Sequence, residues 1–178
     1  GLAHYLNIGI DPSNVIRPGL VHRLDKQTSG LLAVTKTQRA LKILTGHFKR
    51  KLVKKRYFAL VEGVVEKDAG EISAPIGRFA DEKYWGIKED GKHAHTRFWV
   101  KERSRKRTLL ELEPVTGRTN QLRIHSASIG HPIVGDVRYG ADKRARLFLH
   151  AYSLEFRHPN SNEIVHFTSE MPAEFNCG

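Results

Sequence analysis

The chain has 178 residues, 39% of them hydrophobic and 28% charged, enough to bury one core and too apolar for global disorder. Lys and Arg number 30 against 19 Asp and Glu, a net charge of +11, and that excess points to a polyanionic partner through long-range attraction and counterion release. A lone cysteine, Cys177, excludes an intramolecular disulfide and suits a reducing compartment; no run of about 18 apolar residues offers a membrane span, and no signal peptide is expected.

No internal repeat, low-complexity tract or linker divides the chain, so a single domain is expected. Leu2 to Leu6 reads as a short helix, and Pro12, Pro18 and Gly19 mark loop. After HRLDKQTSG comes LLAVTK (Leu31 to Lys36), short, apolar and partly β-branched, which reads as a strand. Leu41, Leu44, Phe48 and Leu52 recur at helical spacing and predict a helix from Gln38 to Lys51. RYFALVEG (Arg56 to Gly63) reads as a buried strand, with Tyr57, Ala59 and Val61 on one face and Phe58 and Leu60 on the other.

Beyond Pro75 the pattern is mostly β. TRFWVKE (Thr96 to Glu102) and TLLELE (Thr108 to Glu113) predict a hairpin joined by the basic loop RSRKR. TGRTNQLRIHSASIG (Thr116 to Gly130) reads as a turn entering a helix, with Thr119 or Asn120 as N-cap and Gly130 after the last turn. Strands at Leu147 to Phe156 and Ile164 to Ser169 follow, separated by HPNSNE. The elements do not alternate regularly, so the fold class is α+β, a mixed and largely antiparallel sheet with a few flanking helices.

The segment Val21 to Lys36 concentrates the chemistry. Arg23 and Lys26 flank one carboxylate, Asp25, in a Thr/Ser/Gly-rich turn ahead of an apolar strand. A carboxylate so placed suits nucleophilic or acid/base work; by periodicity alone the cap of a surface turn is the favoured reading. Two basic runs stand out. Lys49 to Arg56 holds six cations beside the strand bearing Tyr57, and RSRKR adds Arg103, Arg105, Lys106 and Arg107. Both suit phosphate contact, as do the N–H groups at the TGRTN helix start. His93 and His95 form an HxH pair, but without an accompanying Cys or acidic motif it reads as polar strand or loop rather than a metal site.

VHRLDKQTSGLLAVTK resembles the signature of the RluA-type pseudouridine synthases, whose invariant aspartate lies in HRLDxxTSG. KKRYFALVEG is similar to that family's KxYxALVxG, TGRTNQLRIHSASIGHPIVGDVRYG to its TGRxHQxRxHxxxxGxPIxGDxxYG, RLFLHAYSLEFRHP to its RLxLHAxxLxFxHP, and MPAEF to its closing proline motif. The likeness runs from about Arg17 to Phe175 in the family's order. Asn120 stands where the family has His, and is expected to cap the helix in its place.

The resemblance implies an RNA uridine isomerase in which Asp25 is the essential nucleophile or base, attacking either base or sugar. Arg123 would pair with Asp25 and hold it ionised, and Tyr57 would stack on the uracil or help remove the final proton from carbon. Arg23 would help extrude the target nucleotide, since chemistry on a stacked base requires flipping it out. Arg23, Lys26, Lys54, Lys55, Arg118 and Gln121 are the expected RNA-binding residues; the Thr28 hydroxyl reads equally as part of the site or as a turn cap. The reaction is redox-neutral, so no cofactor and no metal are expected, and the sequence has neither a Gly-rich phosphate fingerprint nor HExxH. The implied partner is large-subunit ribosomal RNA or transfer RNA, the implied location cytoplasmic, and the full-length form is expected to be monomeric.

The family's catalytic domain begins further upstream, with a strand and a Lys-Pro-x-Gly segment, and many members carry a separate N-terminal RNA-binding module. The chain opens on Gly1, so it is expected to be truncated, with an uncovered sheet edge, lowered stability or self-association, and weak activity. Two alternatives compete: a basic RNA-binding module without turnover, and a nucleosidase or glycosidase, a class that commonly uses two carboxylates.

Overall fold

The computed structural model describes residues 19–79, 84–175 and 177; the expected helix at Leu2 to Leu6 and the loop around Pro12 and Pro18 lie outside them. The elements in chain order are β1 (Gly19–Leu20), β2 (Ser29–Gly30), β3 (Val34–Thr35), α1 (Gln38–Lys49), β4 (Lys54–Glu62), β5 (Ala69–Ser73), β6 (Ile76–Phe79), β7 (Tyr84–Ile87), β8 (His95–Arg103), β9 (Arg107–Pro114), α2 (Gln121–Ser128), β10 (Leu149–Arg157) and β11 (Ile164–Thr168). The main sheet has the order β11–β10–β4–β9–β8–β5, antiparallel throughout, and β2 joins the first part of β10 in parallel. β1 pairs with β3 and β6 with β7 in two small antiparallel ribbons. The class is α+β, as the sequence predicts.

Period-2 alternation sets the two faces of the sheet. Ala59 and Val61 point inward with Leu110 and Leu112 of β9, and Leu122 of α2 packs on them. Leu44 of α1 packs on Leu154 and Phe156 of β10, beside Val53. The opposite face buries Leu60 and Leu109 under Phe175 and Cys177 near the chain's end. Elsewhere that face carries the stacked rings of Phe58 and Tyr152 and a set of ion pairs. Arg56 pairs with Glu111 and Glu113, Lys54 with Glu155, and Arg97 with Glu71 and Glu113.

The predicted hairpin forms with β8 and β9, and Tyr57 lies opposite Leu112. LLAVTK, by contrast, is not one strand. Only Val34 and Thr35 remain extended in a ladder, because the Ala33 N–H is taken by the His22 ring instead of a neighbouring strand. Helix α1 ends at Lys49, where Arg50 caps it and Lys51 turns to φ 60°, so Leu52 lies outside the helix and exposed. Its start is fixed by Thr37, whose hydroxyl accepts the Ala40 N–H. Strand β5 went unpredicted; AGEIS is short and largely polar because it lies at the sheet's edge.

Gly30 sits at φ 108°, and a Cβ there would collide with the Ala151 carbonyl of β10. The close approach lets the Leu31 N–H donate to that carbonyl at 2.9 Å, tying the Asp25 turn to the central sheet. Gly30→Ala should therefore destabilise the fold by at least about 2 kcal/mol, since it combines a left-handed φ with a backbone clash. Chemical denaturation of the two proteins checks this.

Candidate active site

Asp25 sits in a tight turn closed by the Thr28 N–H, which donates to the Asp25 carbonyl at 2.9 Å. Both flanks of the turn are anchored. Downstream, β2 lies along β10. Upstream, the His22 ring stacks on Phe48 of α1 at 4.8 Å between centroids, and its Nε2 accepts the Ala33 N–H at 2.8 Å. Burial, with the nearby Lys55 charge, lowers the His22 pKa to about 4, so the ring is neutral and free to accept.

Arg123 enters from α2 and is 9% exposed. Its Nε donates to Asp136 Oδ2 at 2.6 Å and its Nη2 to Asp136 Oδ1 at 2.8 Å, a buried bidentate pair. Nη1 donates to Asn120 Oδ1 at 3.3 Å, and the guanidinium lies 5.1 Å over the Tyr139 ring. Asp25 Oδ2 is 3.8 Å from Nη1. The expected Arg123–Asp25 contact thus exists, but Asp136 is the main partner and orients the guanidinium. Asp136 stands in the GDVRYG segment and carried no role in the sequence reading; its match to the Asp of the family's GDxxYG was the available signal. Asn120 also departs from expectation. It occupies the N-cap position at φ 53° without a side-chain cap, and its amide instead donates to the Tyr139 hydroxyl at 3.0 Å.

The direction of the Asp25 pKa shift also departs from expectation. Burial raises its pKa above the ordinary carboxylate value and outweighs the lowering by Arg123 and Arg23, with Asp136 adding to the rise. Arg123 does not hold Asp25 below the usual range. On Arg123 itself, burial works against the charge, but the hydrogen bonds and attraction of Asp136 outweigh it, so the guanidinium stays charged.

Asp25 lines a cleft of about 520 Å³ between its own turn, the end of α1, the start of β4 and the loop entering α2. Tyr57 and Lys55 project into it from β4, and Arg23, Lys49, Lys51 and Arg118 line it with them. Burial, then Asp25, pushes the Tyr57 hydroxyl up to about 12. Burial lowers the Lys55 pKa, and no carboxylate pairs with that amine among the described residues. Arg118 is fixed by donation from Nε to the His93 carbonyl at 2.9 Å. The Thr28 hydroxyl is buried without a hydrogen-bond partner among the described residues and makes no turn cap there. A second cleft behind Arg123 is lined by Lys26, Gln27, Asp136 and Arg138, which puts Lys26 on the other side of the Asp25–Arg123 pair from Arg23.

Other expected RNA contacts lie elsewhere. Lys54 and Arg56 alternate with Lys55 and Tyr57, so they occupy the opposite face of the sheet in the ion pairs already described. Gln121 lines the cleft but is 4% exposed, and its amide is fully used. Its Oε1 accepts from Thr116 and the Arg118 N–H, and its Nε2 donates to the His95 carbonyl and Thr96. It braces the Arg118 loop. The RSRKR tip lies five residues along the β4–β9 register from Tyr57, about 17 Å away, so it does not border the cleft. There Arg103 pairs with Asp68 and Arg107 with Glu62. His95 bonds Glu71 at 3.1 Å, and no group of three or more potential metal ligands converges among the described residues. No helix among them is long and apolar enough to cross a membrane.

Two stability measurements test this electrostatic arrangement. A raised folded-state pKa means that the Asp25 charge opposes folding: its favourable contribution is complete below the unfolded value, about 3.9, and is lost as pH rises through the folded value. Asp25→Asn should melt higher than the parent at pH 7, and the gap should close towards pH 3. Asp136→Ala should lose about 3–5 kcal/mol, the cost of stranding a buried partner charge, as read by denaturant unfolding.

The RNA pseudouridylate synthase family model matches residues 5–128 of the chain. An uncharacterized RNA pseudouridine synthase of Bacillus subtilis, YlyB, is 43% identical over 166 residues, covering 91% of this chain and 55% of that protein. Ribosomal large subunit pseudouridine synthase D of Nitrosomonas europaea is 43% identical over 179 residues, covering 94% and 52%. The chain therefore spans about half the length of the curated relatives it matches. Among solved structures, human RNA pseudouridylate synthase domain containing 1 superposes with a TM-score of 0.79 at 33% identity, covering 86% of this chain and 69% of that one. Human RNA pseudouridylate synthase domain containing 4 gives 0.81 at 23% identity over 98% and 77%, a likeness of fold. With most of its length inside the family model and its motifs in the family's order, the chain belongs to the RNA pseudouridylate synthases of the RluA type.

Proposed function

We propose that the chain isomerises uridine to pseudouridine in structured RNA, with Asp25 as the reacting carboxylate. The observation that carries this reading is the placement of Asp25 in a cation-lined cleft, 3.8 Å from a guanidinium that Asp136 holds in place. The net reaction breaks the N1–C1′ bond, joins C1′ to C5 and moves the C5 proton away as N1 regains one. Electrons balance without an oxidant or reductant, so no cofactor is called for. Asp25 acts as nucleophile or base, and Arg123 keeps the carboxylate oriented and stabilises its charge.

Tyr57 is a ring platform for the uracil and a hydrogen-bond donor rather than a base, because a hydroxyl pushed up to about 12 stays protonated at neutral pH. Arg23, exposed at the cleft, fills the place of the flipped nucleotide. Lys55 and Arg118 take backbone phosphates inside the cleft, and Lys26 does so on the far side of Asp25. The substrate is large-subunit ribosomal RNA or transfer RNA, the first in keeping with the name of the Nitrosomonas relative, and the site of action is the cytoplasm. A hydrolytic reading is disfavoured by Asp136: among the described residues it is the other carboxylate lining the two clefts, and it is 1% exposed and committed to Arg123.

Asp25→Asn should abolish pseudouridine formation while leaving RNA affinity within about tenfold, or about 1.4 kcal/mol. Mass-spectrometric nucleoside analysis and filter binding measure the two. Turnover by the variant, or release of free uracil by the parent, contradicts the proposal. Arg118→Met and Lys55→Met should each flatten the salt dependence of binding by about one unit of slope; an unchanged slope removes that residue from the phosphate contacts.

A further inference from the structure

The segments RLFLHA and MPAEF stand outside the mechanism above, yet the structure brings them together next to the Asp25 turn. Arg146 is where they meet. Its Nη2 donates to the Ser29 hydroxyl on β2, and its Nη1 donates to Glu174 Oε1 at 2.8 Å. Its guanidinium lies 5.3 Å over the ring of Phe175, which is fully buried. The Ser29 hydroxyl, which accepts from Arg146, is also hydrogen-bonded to Nδ1 of the buried His150 at 2.8 Å. Burial, then the Arg146 charge, lowers the His150 pKa and favours the neutral ring.

The backbone of Arg146 has a second contact. Gly135, at φ 81°, lies so close that a Cβ there would collide with the Arg146 carbonyl. Gly135 precedes Asp136, the residue that orients Arg123. One residue therefore abuts both halves of the site, the Asp25 turn through its side chain and the Asp136 loop through its main chain. Asp25 and Arg123 approach only to 3.8 Å, a spacing that no direct short hydrogen bond enforces.

We propose that Arg146 is a positioning residue: by clamping Ser29 to Glu174 and Phe175 near the chain's end, it sets the distance of the Asp25 turn from Arg123. The consequence for turnover rests on the activity proposed above; the consequence for the turn's rigidity does not.

The test uses the whole chain and two readouts. Amide hydrogen exchange follows Thr28 and Leu31, whose N–H groups close the Asp25 turn and tie it to β10. In Arg146→Met these two amides should exchange at least about tenfold faster while those of Ala59 to Val61 keep their protection, the signature of a local opening. Ser29→Ala, a small change that leaves the core intact, should do the same. Pseudouridine formation should show kcat lowered by about tenfold or more with KM within about twofold, as expected when reacting groups lose register. Arg146→Lys, able to hold one partner, should recover part of the loss, and adding Ser29→Ala to Arg146→Met should cost nothing further. Unchanged exchange at Thr28 and Leu31, or uniformly faster exchange throughout the chain, overturns the clamp. An unchanged kcat in Arg146→Met, with an active parent, overturns its role in positioning. If the parent forms no pseudouridine, the activity proposal falls, and the exchange data still decide whether the clamp exists.

Discussion

Arg123 and Asp136 are taken out of water together, and the arrangement of the site follows from what that requires. Removing each charge from solvent costs several kcal/mol even after relaxation. The attraction repays this only when the geometry is good and the remaining donors are used. Here the two bonds are parallel and short, Asn120 takes a third donor, and the Tyr139 ring covers the guanidinium. Three of the five N–H groups are used in this way, and Asp25 lies 3.8 Å from Nη1, which carries one of the two that remain. The carboxylate faces a fixed cation without being neutralised by it, which leaves it available for chemistry.

The sheet supplies the opposing wall by alternation alone. Lys55 and Tyr57 face the cleft because they share the parity of Ala59 and Val61, whose burial fixes the register of β4 against β9. A one-residue slip would turn Lys54 and Arg56 inward and send Tyr57 out. Burial of the apolar half of the strand therefore chooses which cations the cleft receives.

What the sequence conveyed was local. The faces of β4, the β8–β9 hairpin and the placing of Asp25 in a turn follow from patterns within a few residues of one another. The partner of Arg123 did not, because Asp136 lies thirteen residues on and is delivered by the loop beyond α2. LLAVTK misled for a similar reason: its apolar run suits a strand, but the His22 ring takes a backbone donor that a ladder needs. Lys54 differs. The parity that placed Tyr57 also placed Lys54 on the other face, and treating Lys49 to Arg56 as one basic cluster overlooked it. Gln121 was obscured by its polarity, since nothing in the chain's pattern announces that all its hydrogen bonds are made internally.

The charged outer face of the sheet has an electrical consequence. Glu71, Glu111, Glu113 and Glu155 all lie there, each matched to a cation. From Lys26 to Val61, by contrast, the chain contains no Asp or Glu, and that stretch supplies α1 and much of the cleft rim. Among the described residues, then, the carboxylates of the outer face are ion-paired, while the cations Arg23, Lys49, Lys51, Lys55 and Arg118 gather along the cleft. A polyanion diffusing nearby feels a torque before it feels any contact, and a field of this kind can raise association rates by about 10–10³. Such a field favours approach on the Asp25 side over the ion-paired face.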